Sequence, residues 1–291
     1  MQIACHIGPH CTDDDALLKS LLKNKEALVN EGVAVPGPGR YRRIVRETLQ
    51  SMHRNPLADD ARDVMLDAIL QEDDVDRLVM SNSNFICVPN RALEDGQFYR
   101  QAAIKCARFE ELFAADEIEF FIAMRNPATF LPALFDKVAK KTYDQFLSGN
   151  DPMAIRWSTV IAQIREACAN AQITVWANED TPLIWGQLIR ELSGIDPTTP
   201  ISGGFDLLAE IMSKPGMRRL RAYLKANPPQ TELQKRRIMA AFLDKYAMED
   251  AIEEELDLPG WTDDTVAYMT EQYEDDLFAI ERMPGVTMIT P

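Results

Sequence analysis

The sequence predicts a three-layer α/β (αβα) fold, in which a mostly parallel sheet carries helices on both faces and a helical C-terminal part follows. Three observations carry this expectation. Short apolar runs alternate with segments of helical spacing over residues 1–200, the pattern of strand-helix-strand units joined by right-handed crossovers. The chain opens on an apolar run, Ile3 to Ile7, which Gly8 and Pro9 break before leucines at helical spacing. After Pro200 the strand-like runs stop and helical patterns remain.

Taken in order, Ile3 to Ile7 reads as the first strand, and residues 14–31 as a helix whose buried stripe is Leu17, Leu18, Leu21, Leu22 and Leu28. Val33 to Val35, Arg77 to Met80, Phe85 to Val88, Ile118 to Met124 and Ile173 to Ala177 are the further strand-like runs. Helical spacing fills 58–72, 99–115, 128–147, 152–170 and 181–193 between them. Beyond Pro200 it covers 204–213, 216–226, 230–256 and 262–282, with Pro228, Pro229 and Pro259 as breaks. The division predicts a core over 1–200 and a helical extension over 201–291 packed on it as one structural domain. The acidic stretch EDAIEEELD keeps helical apolar spacing and reads as a solvated helix face.

Composition narrows the function classes. The 291 residues are 46% hydrophobic and 26% charged, the balance of a soluble globular protein, which excludes disordered and collagen-like chains. MQIACHIG has no basic region of a signal peptide, and no segment approaches the ~18 apolar residues of a spanning helix, so a cytoplasmic protein is expected. Cys5, Cys11, Cys87, Cys106 and Cys168 are odd in number and lack CxxC spacing, which favours reduced thiols. A formal net charge of −15 argues against nucleic acid and anionic membranes as partners. Two basic islands interrupt it: GRYRRIVR, with Arg40, Arg42, Arg43 and Arg46, and KPGMRRLRAYLK, with Lys214, Arg218, Arg219, Arg221 and Lys225. The second reads as a solvated helix face. In the first, Arg40, Tyr41, Arg42 and Arg43 follow PGPG, and either hold a sulfate, phosphate or carboxylate through bidentate arginine contacts or pair with nearby acid.

The opening strand, turn and helix form the connection at which α/β proteins bind anions, because a helix N-terminus offers unpaired N–H groups and a partial positive charge. Here Asp13, Asp14 and Asp15 supply negative charge instead. Thr12 with Asp15 three residues on resembles a capping box, which accounts for the aspartates through stability at about 0.3–1 kcal/mol per well-placed charge. Two chemistries compete with that. His6, His10 and the aspartates have the ligand types of a divalent ion, although no metal is expected. Cys11 at a helix N-terminus, with His10 as base, is a nucleophile candidate whose neighbouring carboxylates raise the thiol pKa again.

HIGPHCTDDDALLKSLLKNKEALVNEGVAVPG resembles the opening of the sulfotransferases that use 3′-phosphoadenosine 5′-phosphosulfate (PAPS): a strand, a lysine-containing loop close to Lys-Thr-Gly-Thr-Thr, a Leu-rich helix and a short strand after Gly. Cys11 stands at the lysine position and Thr12 keeps its place, while Asp13, Asp14 and Asp15 replace the glycine and two hydroxyl residues. FFIAMRNPATFLPALF resembles the family's strand and turn in which an arginine, with a serine eight residues later, binds the nucleotide 3′-phosphate. Arg125 is at the arginine position and Ala133 at the serine position. ITVWANEDTPLIWGQLIREL resembles the late strand, Glu-Asp turn and helix, and LPGWTDDTVAYMTEQYEDDLFAIERM the C-terminal helices of bacterial members. LVMSNSNF falls where many members place an acidic catalytic base, and offers Ser81, Asn82, Ser83 and Asn84 there.

The resemblance implies a P-loop-type nucleotide fold with PAPS or its product PAP held by Pro9, His10, Cys11, Thr12, Asp13 and Arg125. A sulfate acceptor or another small anion is then the partner. The chemistry of the loop points the other way. One cation lost and three anions gained each cost ~1 kcal/mol in water, and ~4 at an effective dielectric of 20, for a phosphate at 4 Å. Two function classes follow: a sulfotransferase-like enzyme with a remodelled donor site, or a non-catalytic protein that uses the fold to bind a ligand or partner near Arg40 to Arg43.

Overall fold

The computed structural model describes every residue except 73, 139, 140, 253–255 and 257. In chain order its elements are β1 (Gln2–His6), α1 (Ala16–Leu22), α2 (Lys25–Asn30), β2 (Val33–Ala34), α3 (Pro38–Ser51), α4 (Ala61–Ile69) and β3 (Arg77–Ser81). A hairpin of β4 (Leu93–Glu94) and β5 (Gln97–Phe98) follows, then α5 (Ala102–Leu112), β6 (Glu117–Met124), α6 (Pro127–Lys137), α7 (Tyr143–Leu147), α8 (Trp157–Ala167) and β7 (Gln172–Ala177). The remainder is α9 (Thr181–Ser193), α10 (Asp206–Ile211), α11 (Lys214–Ala226), α12 (Glu232–Tyr246), α13 (Glu249–Ile252), α14 (Asp263–Glu281) and β8 (Val286–Ile289).

Six strands form one sheet in the order β2-β3-β1-β6-β7-β8, every neighbouring pair parallel. Ile3 stands opposite Leu78 on one side and Ile118 on the other, which places β1 at the centre. A strand buried on both faces reads as a continuous apolar run, and β1 does. Ile3 and Cys5 join one core with Phe109, Phe120 and Trp157, while Ala4 packs into the opposite core with Leu17, Trp176, Trp185 and Leu188. Helices on both faces therefore complete the three-layer architecture that the alternating pattern predicts.

Four local expectations change. Residues 14–31 form two helices, because the buried Asn24 side chain donates to the Ser20 and Ser202 carbonyls and accepts from Ser202 N, tying the chain to a distant loop. Phe85 to Val88 is a turn, not a strand. Phe85, Ile86 and Cys87 are buried and Val88 is exposed, but Asn82 accepts from Asn84 N through its side chain and from Phe85 N through its carbonyl, an Asx-type reversal. The helix expected over 128–147 becomes α6 and α7, the second opened by a Thr142–Gln145 capping box. That expected over 230–256 breaks after Tyr246, where Met212 and Ala247 form a bridge; part of it, and of EDAIEEELD, lies outside the described residues.

A fifth difference concerns the C-terminal part, which is not purely helical. Val286 to Ile289 pairs in parallel with Ile173 to Trp176 and adds the edge strand β8. Four residues after Pro284-Gly285 give too short a period-2 signal to be distinguished from a loop. α14 packs Met269, Tyr273 and Ile280 into the main core. Its buried Asp276 carboxylate accepts from Trp157 N at 2.6 Å and Ser158 N at 3.1 Å, satisfying first-turn amides of α8. A third cluster, built on Leu208, Met212, Met217, Leu220 and Met239, holds α10, α11 and α12 together.

Candidate functional site

The strand order places a topological switch at β1, with β3 on one side and β6 on the other, so the loops after these three strands meet at one sheet edge. The loop after β1 is the segment the resemblance singles out. Its path is set by backbone conformation: Gly8 has φ +97°, and a Cβ there would meet Ser83 Cα at 3.0 Å. Cys11, Asp14 and Asp15 also take positive φ, at 59°, 42° and 67°, a region in which Asp is tolerated better than most residues.

Each aspartate has a protein partner. Asp13 Oδ2 accepts from Leu17 N at 3.0 Å, using an otherwise unpaired helix amide. Asp14 pairs with Lys137 at 2.5 Å on the exposed side. Asp15 receives a bidentate contact from Arg42, Nη1 to Oδ2 at 2.9 Å and Nη2 to Oδ1 at 2.5 Å. These hydrogen bonds hold the Asp15 carboxyl below the usual carboxylate range. The expected Thr12–Asp15 capping box is therefore absent. Thr12 Oγ1 donates to the Pro9 carbonyl at 2.9 Å, and the Asp15 carboxylate turns to the guanidinium, a stronger partner than a neutral amide.

The basic island after PGPG is divided by its position on α3. Tyr41 is fully buried, its hydroxyl donating to the Ser81 carbonyl at 2.7 Å and accepting from Ser81 N at 3.0 Å, so it locks α3 to β3 and does not face a ligand. Arg42 is spent on Asp15 and on the Ser81 carbonyl, reached by Nε at 3.1 Å and Nη2 at 2.8 Å. Arg40 and Arg43 point to solvent. The side-chain pairing weighed against anion binding is thus what Arg42 does.

Arg125 is brought to the same loop. Its Nη1 donates to the Cys11 carbonyl at 2.5 Å and its Nε to Thr129 Oγ1 at 3.0 Å, while its own carbonyl accepts from Trp157 Nε1 at 2.8 Å. Thr129, one helical turn on, gives Arg125 a hydroxyl partner, whereas Ala133, where the resemblance expects a hydroxyl, has none. Sequence reasoning missed Thr129 because it sought the hydroxyl at eight residues' distance only.

His10 and Cys11 do not form a nucleophile-base pair. His10 is buried, with Nε2 at 3.1 Å from Asn84 Oδ1 and Nδ1 at 2.7 Å from the Tyr99 hydroxyl, which also accepts from His10 N at 3.1 Å. The consistent assignment puts the ring proton on Nε2 and lets Tyr99 donate to Nδ1. Burial lowers the His10 pKa and keeps the ring neutral. Burial likewise raises the Cys11 thiol pKa, and the opposing Lys137 and Arg125 do not cancel it, so the thiolate of a nucleophile is disfavoured. His6, in the sheet layer, bonds Ser81 Oγ through Nδ1 at 2.9 Å and stacks on Trp176. Among the described residues, the His6, His10 and aspartate set does not converge as a metal site.

The arrangement is a strand-turn-helix connection at the sheet's switch point in which Asp13, Asp14 and Asp15 engage Leu17 N, Lys137 and Arg42. Comparison of the chain with family models, curated proteins and solved structures gives no match.

Proposed function

We propose that the protein is a non-catalytic binding protein on a sulfotransferase-like framework, with its donor loop closed by its own carboxylates. The observation that carries this is the bidentate Asp15–Arg42 contact. A phosphosulfate entering the loop would meet that carboxylate and would have to displace it from the guanidinium, with Asp13 and Asp14 adding further repulsion. The polar residues from the end of β3 onward, Ser81 to Asn84, contain no carboxylate to act as an acceptor base, and His10 has both ring nitrogens engaged. The exposed Arg40 and Arg43 remain available to an anionic ligand or partner.

Calorimetric titration with 3′-phosphoadenosine 5′-phosphate tests this directly. No heat of binding up to millimolar ligand is expected. Micromolar binding that Arg125→Ala abolishes would overturn the reading and favour a transferase with a remodelled donor site. The contact of Arg125 with the loop and with Thr129 is the feature that supports that second reading. Its own test is sulfuryl transfer from PAPS to a broad acceptor panel, with loss of transfer in Arg125→Ala.

A further inference from the structure

A second concentration of charge lies away from the loop and shares no residue with it. The end of α3, the turn after it, the β4–β5 hairpin and one face of α5 enclose a groove of about 920 Å³. Its lining carries Arg54, Arg91, Arg100, Lys105 and Arg108 against the single carboxylate of Glu94. In a chain with a net charge of −15, five cations around one concavity are not the average surface.

Two of the five are matched: Arg91 pairs with Glu94 at 2.8 Å, and Arg100 with Asp95. Among the described residues no carboxylate lies within ion-pair distance of Arg54, Lys105 or Arg108. Arg108 is held in place by a 2.8 Å bond from Nη1 to the Leu49 carbonyl, at the end of α3, which orients it without neutralising it. Lys105 is half-buried among like charges; burial, Arg108 and Arg91 all lower its pKa. Unmatched cations held close together cost stability, and an anionic ligand offsets that cost.

The groove is also not uniformly polar. Ile104 is 52% exposed within it, and Gln50 and Gln101 stand beside the cations as neutral hydrogen-bonding groups. α5 begins at the groove, with Gln101 at its N-cap, so the positive end of the helix dipole adds to the field. A single phosphate would engage only part of this set.

We propose that the groove binds a small organic polyphosphate, with two or more phosphoryl groups on Arg54, Lys105 and Arg108 and the organic body over Ile104. It does not depend on how the loop after β1 is read. The volume suits a drug-sized molecule, and the mixed lining of cations, amides and one exposed aliphatic group is the kind that fixes a charged ligand with an apolar body.

The test uses the whole chain and three probes without magnesium: adenosine triphosphate, inorganic tripolyphosphate and orthophosphate. Adenosine triphosphate is expected to bind most tightly, tripolyphosphate more weakly and orthophosphate not measurably. The double variant Arg54→Glu with Lys105→Glu should weaken adenosine triphosphate by about a hundredfold or more, since each reversed contact is worth at least about a factor of ten. Should that variant not fold, Arg54→Gln with Lys105→Gln should still weaken it about tenfold. No binding to the unmodified protein, or unchanged affinity in either folded variant, would overturn the assignment. Loss of binding in Arg125→Ala alone would move the ligand to the loop, overturning the groove and the closed-loop reading together. Equal affinity for tripolyphosphate and adenosine triphosphate would remove the organic body from the proposed ligand.

Discussion

If Asp15 closes the loop by binding Arg42, the two residues must be energetically coupled, and a double-mutant cycle of Asp15→Asn and Arg42→Ala measures that coupling. The side chains are 40% and 26% exposed, so the pair lies between a surface ion pair worth about 0.2–1 kcal/mol and a desolvated charge-assisted bond worth about 1.5–3. The bidentate geometry places the expected coupling near 1.5 kcal/mol. Arg42→Ala should cost about 0.5–1 kcal/mol more than Asp15→Asn, because it also removes two contacts to the Ser81 carbonyl. That carbonyl keeps Tyr41 as donor, which limits the extra loss. Urea denaturation of the four proteins near neutral pH is the assay. Arg42 lowers the folded pKa of Asp15, so the contribution is present above the unfolded carboxyl value of about 3.9 and is lost as pH falls through the folded value. A coupling below about 0.3 kcal/mol near neutrality would be within additivity, and the closed loop would have to be abandoned.

Three further outcomes are expected. Asp276→Ala should destabilise the protein by about 3–5 kcal/mol, since it removes a buried carboxylate from two first-turn amides of α8; a loss under about 1 kcal/mol in thermal unfolding would contradict that role. His6 and His10 have folded pKa values lowered by burial, so the unfolded state takes up protons first and stability should decline as pH falls below about 6.5. His10→Gln should flatten that slope, and an identical pH profile for the variant would show that the ring is already solvated. At Gly216 an added Cβ would stand 2.5 Å from Tyr246 Cβ, so Gly216→Ala should cost about 1–3 kcal/mol by overpacking α11 against α12, read as loss of amide-exchange protection there.

The sheet was legible where burial on both faces makes a long apolar run, as in Ile118 to Met124, and illegible where the run is short. β8 has four residues and an edge position, so its pairing depends on a neighbour 113 positions earlier, Ile173 opposite Val286. Phe85 and Ile86 misled for the opposite reason: they are core residues on a turn, and hydrophobicity reports burial before it reports backbone shape. The loop residues stand out in the sequence because they are contiguous, and Arg125 because its segment resembles a family motif. Their partners do not. Nothing in the sequence spacing says that Asp15 meets Arg42 or that Asp14 meets Lys137. The groove was missed more completely, since Arg54, Arg91, Arg100, Lys105 and Arg108 are scattered over three segments and form no basic island in sequence.

On the readings proposed above, this acidic chain closes the loop with its own carboxylates and keeps its anion site at the groove. An α/β switch point attracts phosphate only while its amides and cations are unspent. In this chain Leu17 N is taken by Asp13, Lys137 by Asp14 and Arg42 by Asp15, so the charge that an anion would have supplied is already covalently present. An intramolecular carboxylate competes at an effective concentration that a dissolved ligand does not reach. The cations of the groove are under the opposite condition, because Arg54, Lys105 and Arg108 line one concavity and, among the described residues, receive no carboxylate. If both readings are right, neutralising Asp13, Asp14 and Asp15 together as Asn should free the loop for 3′-phosphoadenosine 5′-phosphate while leaving adenosine triphosphate affinity at the groove unchanged. A triple variant that folds and still ignores the nucleotide would show that Cys11, standing where a lysine is expected, is what shuts the loop, and that the carboxylates only complete a closure made elsewhere.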